Sequence, residues 1–276
     1  MAFYITTLME NTAAEDCLAA EHGLSLLIEG EQVRILYDTG ASPRFLKNAG
    51  TLGATLEALD ALVLSHGHFD HTGGAAALLT GPVRPRAVYL GAHFFERRYA
   101  KNQDGLMDIG AALEPTAMDV AGVPCVVVGP DPVPMATGVF LVSGFSSTEE
   151  GERPPAHLLR LRNGSLEQDA FEDEVAVVLE TEQELALISG CSHAGILSMC
   201  RRVEELFGRP VTTFVGGTHL MDADDARIRR TCDGLRERGL ARLGACHCNG
   251  ERATAYFQGH FPGFFRNNVG SRVAVE

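Results

Sequence analysis

Three imidazoles and one carboxylate fall within six residues of the stretch Ser65-His66-Gly67-His68-Phe69-Asp70-His71-Thr72-Gly73-Gly74. Imidazole nitrogen and carboxylate oxygen suit zinc, with manganese or iron as alternatives. Four ligand-type groups packed this densely are costly to bury without compensation, so the cluster is read as a site for one or two metal ions. On a tight loop His66 and His68 can point the same way while Asp70 and His71 serve an adjacent ion. Gly67 and the Gly73-Gly74 pair let the loop turn sharply and bring backbone close to the metals.

The elements that must position this loop follow from hydrophobic spacing. The apolar run Ala61-Leu62-Val63-Leu64-Ser65 reads as a buried strand leading straight into the cluster. Short aliphatic or β-branched runs bounded by turn residues predict further strands over 4–9, 23–29, 32–37, 87–90, 124–128, 138–142, 175–179, 184–189, 211–215 and 241–245. Helical spacing predicts helices over 42–49, 74–79, 196–207 and 222–238. Strands followed by helices in each half predict a mixed α/β layer architecture with two sheets inside. Residues 149–155 are polar and Pro-rich and read as a loop, so residues 1–276 are taken as one domain. The aromatics Tyr256, Phe257, Phe261, Phe264 and Phe265 are expected to pack on a core edge or to form a dimer contact, which leaves a homo-oligomer open.

Bulk properties narrow the function classes. Of 276 residues, 45% are apolar and 21% charged, as in ordinary globular proteins. A formal net charge of −13 argues against nucleic-acid binding, because nothing offsets phosphate repulsion overall. No apolar window is long enough for a membrane span. Seven cysteines without regular spacing, and no basic-then-apolar leader, predict free thiols in a reducing cytoplasm. Arg97, Arg98 and Lys101 form a basic cluster, read as a solvated helix face with an anion contact as the alternative.

The His66–His71 pattern resembles the second motif of the metallo-β-lactamase superfamily, and Leu36-Tyr37-Asp38-Thr39-Gly40 resembles its first. The resemblance implies an αββα sandwich in which Asp38 supports the metal loop from behind. Glu10-Asn11, Glu21-His22-Gly23-Leu24-Ser25, Gly190-Cys191-Ser192-His193-Ala194-Gly195-Ile196, Gly216-Gly217-Thr218-His219-Leu220 and His247-Cys248-Asn249-Gly250 resemble one branch more closely. That branch is the 7,8-dihydropterin-6-methyl-4-(β-D-ribofuranosyl)aminobenzene-5′-phosphate synthase-like one. Its usual pattern has Phe where Thr218 stands and Thr where Asn249 stands.

The resemblance implies three more ligand roles after the loop. His247 follows a strand and takes the last histidine's role, and Cys191 stands where a bridging Asp or Cys falls. The third-motif histidine is assigned to His193, with Asp173 or Glu172 as alternatives. His219 is open between ligand, proton donor and substrate contact, and His22 lines the pocket or is structural. Cys246 and Cys248 flank His247 without a second pair to suggest a structural zinc.

The expected activity is a metal-dependent hydrolase acting on a small phosphoester or other anionic ester. Metal coordination lowers the pKa of water to about 7, with Asp70 orienting it and His219 assisting the leaving group. A metal-dependent condensing enzyme of pterin metabolism uses the same ligands and is the alternative. An iron-dependent redox enzyme is a third reading, although flavodi-iron relatives tend to carry a glutamate where His68 stands. A sensing protein with a residual metal site is disfavoured by the intact loop.

Overall fold

The computed structural model describes residues 1–149 and 151–276; residue 150, inside the loop expected over 149–155, lies outside the described residues. Period-2 alternation on the strands builds the layers. Along Ser25–Glu29, Leu26 and Ile28 face one side and Leu27 the other; Ile35 and Tyr37 oppose Leu36 on Arg34–Tyr37. The same switching occurs on Ala176–Glu180 and Leu185–Ser189, where Val177, Leu179, Ala186 and Ile188 face away from Val178 and Leu187.

These faces produce two large sheets. One has seven strands in the spatial order Arg272–Val275, Phe3–Met9, Ser25–Glu29, Arg34–Tyr37, Ala61–Val63, Val88–Gly91 and Cys125–Val128. The other has six, ordered Arg242–Cys246, Thr213–Gly217, Leu185–Ser189, Ala176–Glu180, Val139–Val142 and Val133–Ala136. Ile5, Ile28, Ile35 and Val63 of the first sheet meet Leu141, Val177, Ile188 and Val215 of the second in a central core. Helices Arg44–Leu52 and Ala75–Thr80 cover the outer face of the first sheet through Phe45, Ala49 and Leu78. Helices Ile196–Phe207, Asp225–Glu237 and Gly250–His260 cover the second through Val203, Leu235 and Phe257. The result is the expected αββα sandwich. Phe257 and Phe261 are buried in the outer core, the packing role expected of that aromatic stretch.

A third sheet of four strands was not foreseen. It comprises Ser165–Gln168, Leu158–Arg162, Arg97–Asn102 and Gly105–Asp108. Residues 97–101 therefore form a strand, not a helix face, and Arg98 is buried rather than solvated. Its guanidinium pairs with Asp169 and Asp173, each at 2.8 Å. Charged strands such as this lack hydrophobic alternation; here Arg160 and Arg162 bond to Glu96, Glu167 and Glu172 instead. The segment leaving this sheet clasps the histidine loop: Phe69 N–H donates to Ile109 O at 3.2 Å, and His68 bridges Gly110.

Candidate metal centre

The parallel strands of the two sheets end on one rim. Asp38 follows Arg34–Tyr37, Ser65 and His66 follow Ala61–Val63, and Cys191 follows Leu185–Ser189. His219 and His247 follow Thr213–Gly217 and Arg242–Cys246. Carboxyl ends of parallel strands are the usual place for a site in open α/β sheets. The chain turns abruptly there: Asp38, Ser192, His219 and His247 all have left-handed backbone, with φ of 59°, 57°, 47° and 54°. Such strain costs on the order of 1–3 kcal/mol per residue and persists where the surroundings over-determine it.

The loop is held by close backbone approach. A Cβ on Gly67 would lie 2.2 Å from Phe94 O, and one on Gly73 would lie 2.1 Å from Ala41 O. Asp173 Oδ2 accepts the Gly67 N–H at 2.7 Å, while Asp38 Oδ1 accepts the Ser65 N–H at 2.7 Å.

The donor atoms form a row. His66 Nε2 lies 3.1 Å from His68 Nδ1 and 3.3 Å from His193 Nε2, making one convergent set. His66, His71 and Cys191 make a second, with His71 Nε2 3.2 Å from Cys191 Sγ. At the far end Asp70 Oδ2 sits 3.2 Å from His247 Nε2, 3.2 Å from His22 Nε2 and 3.7 Å from His71 Nε2. Every residue predicted to ligate is in this row. His219 stands at its rim, its ring centroid 4.3 Å from that of His193.

Asp173 and Glu172, the alternatives to His193, are committed elsewhere. Asp173 braces Gly67 and Arg98, and Glu172 pairs with Arg160 and Arg162. Two supports escaped the sequence reading. Phe171 stacks on His193 at 3.7 Å between centroids with planes 9° apart. Glu174 accepts the backbone N–H groups of His193 at 2.6 Å and Ala194 at 3.0 Å. A further function emerges for Glu10-Asn11: Glu10 Oε1 accepts His247 N–H at 2.7 Å, and Asn11 Oδ1 lies 3.1 Å from His247 Nδ1.

The chemistry of this row fits a transition metal. Burial, with crowding by the other imidazoles, pushes His66 and His193 well below the ordinary histidine value; burial does the same to His68 and lowers His247. These rings are therefore neutral at physiological pH, the form that ligates. His68 Nε2 and His247 Nε2 are buried without a hydrogen-bond partner among the described residues. Burial would raise Asp70, but His71, His22 and His247 outweigh it and hold the carboxyl well below its usual range. Burial lowers His71, yet the Asp38 and Asp70 carboxylates overcome it and bring the imidazole up to about 9. A ring flanked by two buried carboxylates marks a place that calls for positive charge.

The sequence profile described as "Metallo-beta-lactamase superfamily" matches residues 19–157. The chain belongs to the metallo-β-lactamase superfamily. It is 32% identical over 254 residues to the 7,8-dihydropterin-6-methyl-4-(beta-D-ribofuranosyl)-aminobenzene-5'-phosphate synthase of Methanocaldococcus jannaschii, covering 88% of this chain and 85% of the relative. An uncharacterized protein of the same organism is 26% identical, covering 98% of this chain and 100% of its own. Among solved structures, Tm1679, described as a metal-dependent hydrolase of the beta-lactamase superfamily, superposes with a TM-score of 0.85 at 29% identity over 99% of both chains. Zn(2+)-bound PqqB from Methylobacterium extorquens, at TM-score 0.57 and 14% identity over 98% of this chain and 99% of its own, shares the fold. Among the described residues, no helix of this superfamily member is long and apolar enough to cross a membrane.

Proposed function

We propose that this protein is a metal-dependent hydrolase of a small anionic ester, with its ions held by His66, His68, Asp70, His71, Cys191, His193 and His247. The carrying observation is the continuous row of convergent imidazole, thiol and carboxylate donors on one strand-end rim. Zinc, or manganese or iron in its place, supplies Lewis-acid polarisation and lowers the pKa of water to about 7 when bound. Asp38 keeps a proton on His71 Nδ1, so that Nε2 faces the site. Asp70, ionised and buried, orients the attacking water through its carboxylate. His219 stands at the rim beside the leaving group; burial lowers its imidazole to about 4, so the ring is neutral at physiological pH and assists through its ring N–H. A polar cavity of about 370 Å³, bordered by Asn11, His247, Asn249, Arg266 and Asn267, touches the row at His247 alone.

A second reading is favoured by the 32% identity to the pterin-pathway synthase. There the same row would serve attack by the aminobenzene nitrogen on a dihydropterin methyl carbon that carries a leaving group, the C–N bond forming as that group departs and the nitrogen gives up a proton. One experiment separates them: elemental analysis of the purified chain, followed by assays against phosphomonoesters, phosphodiesters, lactones and thioesters. Near two ions per chain with turnover of one ester class supports the hydrolase. Bound metal without hydrolysis, together with mass-spectrometric detection of the joined pterin–aminobenzene product, supports the synthase.

A further inference from the structure

The motif Glu21-His22-Gly23 has no place in the ligand set above, yet the fold brings His22 to its open end. His22 Nε2 is 3.2 Å from Asp70 Oδ2, matching the 3.2 Å from His247 Nε2 to the same oxygen. His22, Asp70 and His247 form a convergent donor group, and the two imidazole centroids are 4.9 Å apart. His247 Nε2 is buried without a hydrogen-bond partner among the described residues, although it lies this close to the carboxylate.

The placement of His22 is built by its neighbours. Glu21 accepts from Ser42 N–H at 2.9 Å and from its hydroxyl at 2.6 Å. Leu24 N–H donates to Asp70 O at 3.2 Å, and a Cβ on Gly23 would lie 2.7 Å from that same carbonyl oxygen. Residues 21–24 are thus clamped to the loop that carries Asp70. Asn11 touches both rings, 3.4 Å from His22 Nδ1 and 3.1 Å from His247 Nδ1, and so turns both Nε2 atoms toward Asp70. Unlike the other ligand candidates, the His22 side chain is 51% exposed.

We infer that His22 is an additional metal ligand, completing the Asp70/His247 group from the solvent side; the assignment rests on the metal-centre reading above. Imidazole nitrogens beside a carboxylate oxygen at this spacing are zinc-type donors. Being half exposed, His22 is the ligand that solvent and small molecules reach first.

The test is cobalt(II) titration of the metal-stripped chain, comparing wild type with His22→Ala and His22→Gln by visible absorption and chelator competition. Wild type is expected to take two ions. Both variants should bind the weaker ion less tightly by more than the ~10–100-fold that loss of an outer-shell partner costs and show an altered cobalt spectrum. Added imidazole should restore the wild-type spectrum in His22→Ala, because the vacated position opens to solvent. Glutamine retains an N–H donor toward Asp70 but supplies no imidazole nitrogen, so full recovery with His22→Gln would overturn the assignment in favour of a hydrogen bond. Two ions bound with both variants unaltered overturns it for His22 alone. A wild type that takes up no cobalt overturns this assignment and the hydrolase reading together.

Discussion

Asp38 Oδ2 lies 2.6 Å from His71 Nδ1, with both side chains fully buried, while its other oxygen accepts the Ser65 N–H at the entrance to the histidine loop. One carboxylate thereby sets the tautomer of a ligand candidate and the start of the loop that carries it. Asp38→Asn should weaken metal binding about 10–100-fold, measured by chelator competition. In the metal-free protein the same change should bring the His71 imidazole down from about 9, followed by NMR titration.

Asp70→Ala should abolish turnover while far-ultraviolet circular dichroism stays unchanged, because Asp70 lies in the four-residue helical turn Phe69–Thr72 and belongs to no hydrophobic core cluster. Retained activity would show that the carboxylate does not orient the reacting water. The same variant removes the oxygen toward which His22 and His247 converge, so metal content should fall as well.

His219→Gln should lower kcat by about 10²–10⁴-fold, the range for a lost general acid, with metal content preserved. A ratio of kcat values near one at full metal loading would remove His219 from proton transfer.

Arg98 is enclosed with Asp169 and Asp173, and Asp173 in turn holds Gly67. Removing one partner of a buried charge group costs about 3–5 kcal/mol, so Arg98→Met should lower stability by that amount in chemical denaturation. Replacing Asp169 and Asp173 by Asn in the same chain should recover part of the loss, since the uncompensated carboxylates are then gone.

Burial raises Glu174 to about 8 in the folded protein, above the ordinary glutamate value. A group raised on folding contributes stability that is complete below its unfolded pKa and is lost as pH climbs through the folded one. The metal-free protein should therefore become less stable between about pH 4.5 and pH 8. Glu174→Gln, which cannot ionise, should flatten that decline in thermal melts across the window.

Much of the fold was legible because burial imposes alternation on strands and 3.6-residue spacing on helices. The strand over 184–189 and the helix Ile196–Phe207 appear within a residue of where spacing put them. The four-stranded sheet was not legible, because Arg97–Asn102 and Leu158–Arg162 are organised by ion pairs between segments far apart in sequence. For the same reason Arg98 looked like surface charge when read beside Arg97 and Lys101, although its partners lie some seventy residues away at Asp169 and Asp173.

The candidate centre divides along the same line. His66, His68, Asp70 and His71 announce themselves because four donors sit in one local turn, where chain connectivity alone enforces proximity. That His193 rather than Asp173 or Glu172 meets His66, and that His22 reaches Asp70, depended on strand order and on which face each turn presents. Distances between such segments are set by sheet register and by buried bonds such as Asp38 to Ser65 and Asp173 to Gly67, which no local pattern encodes.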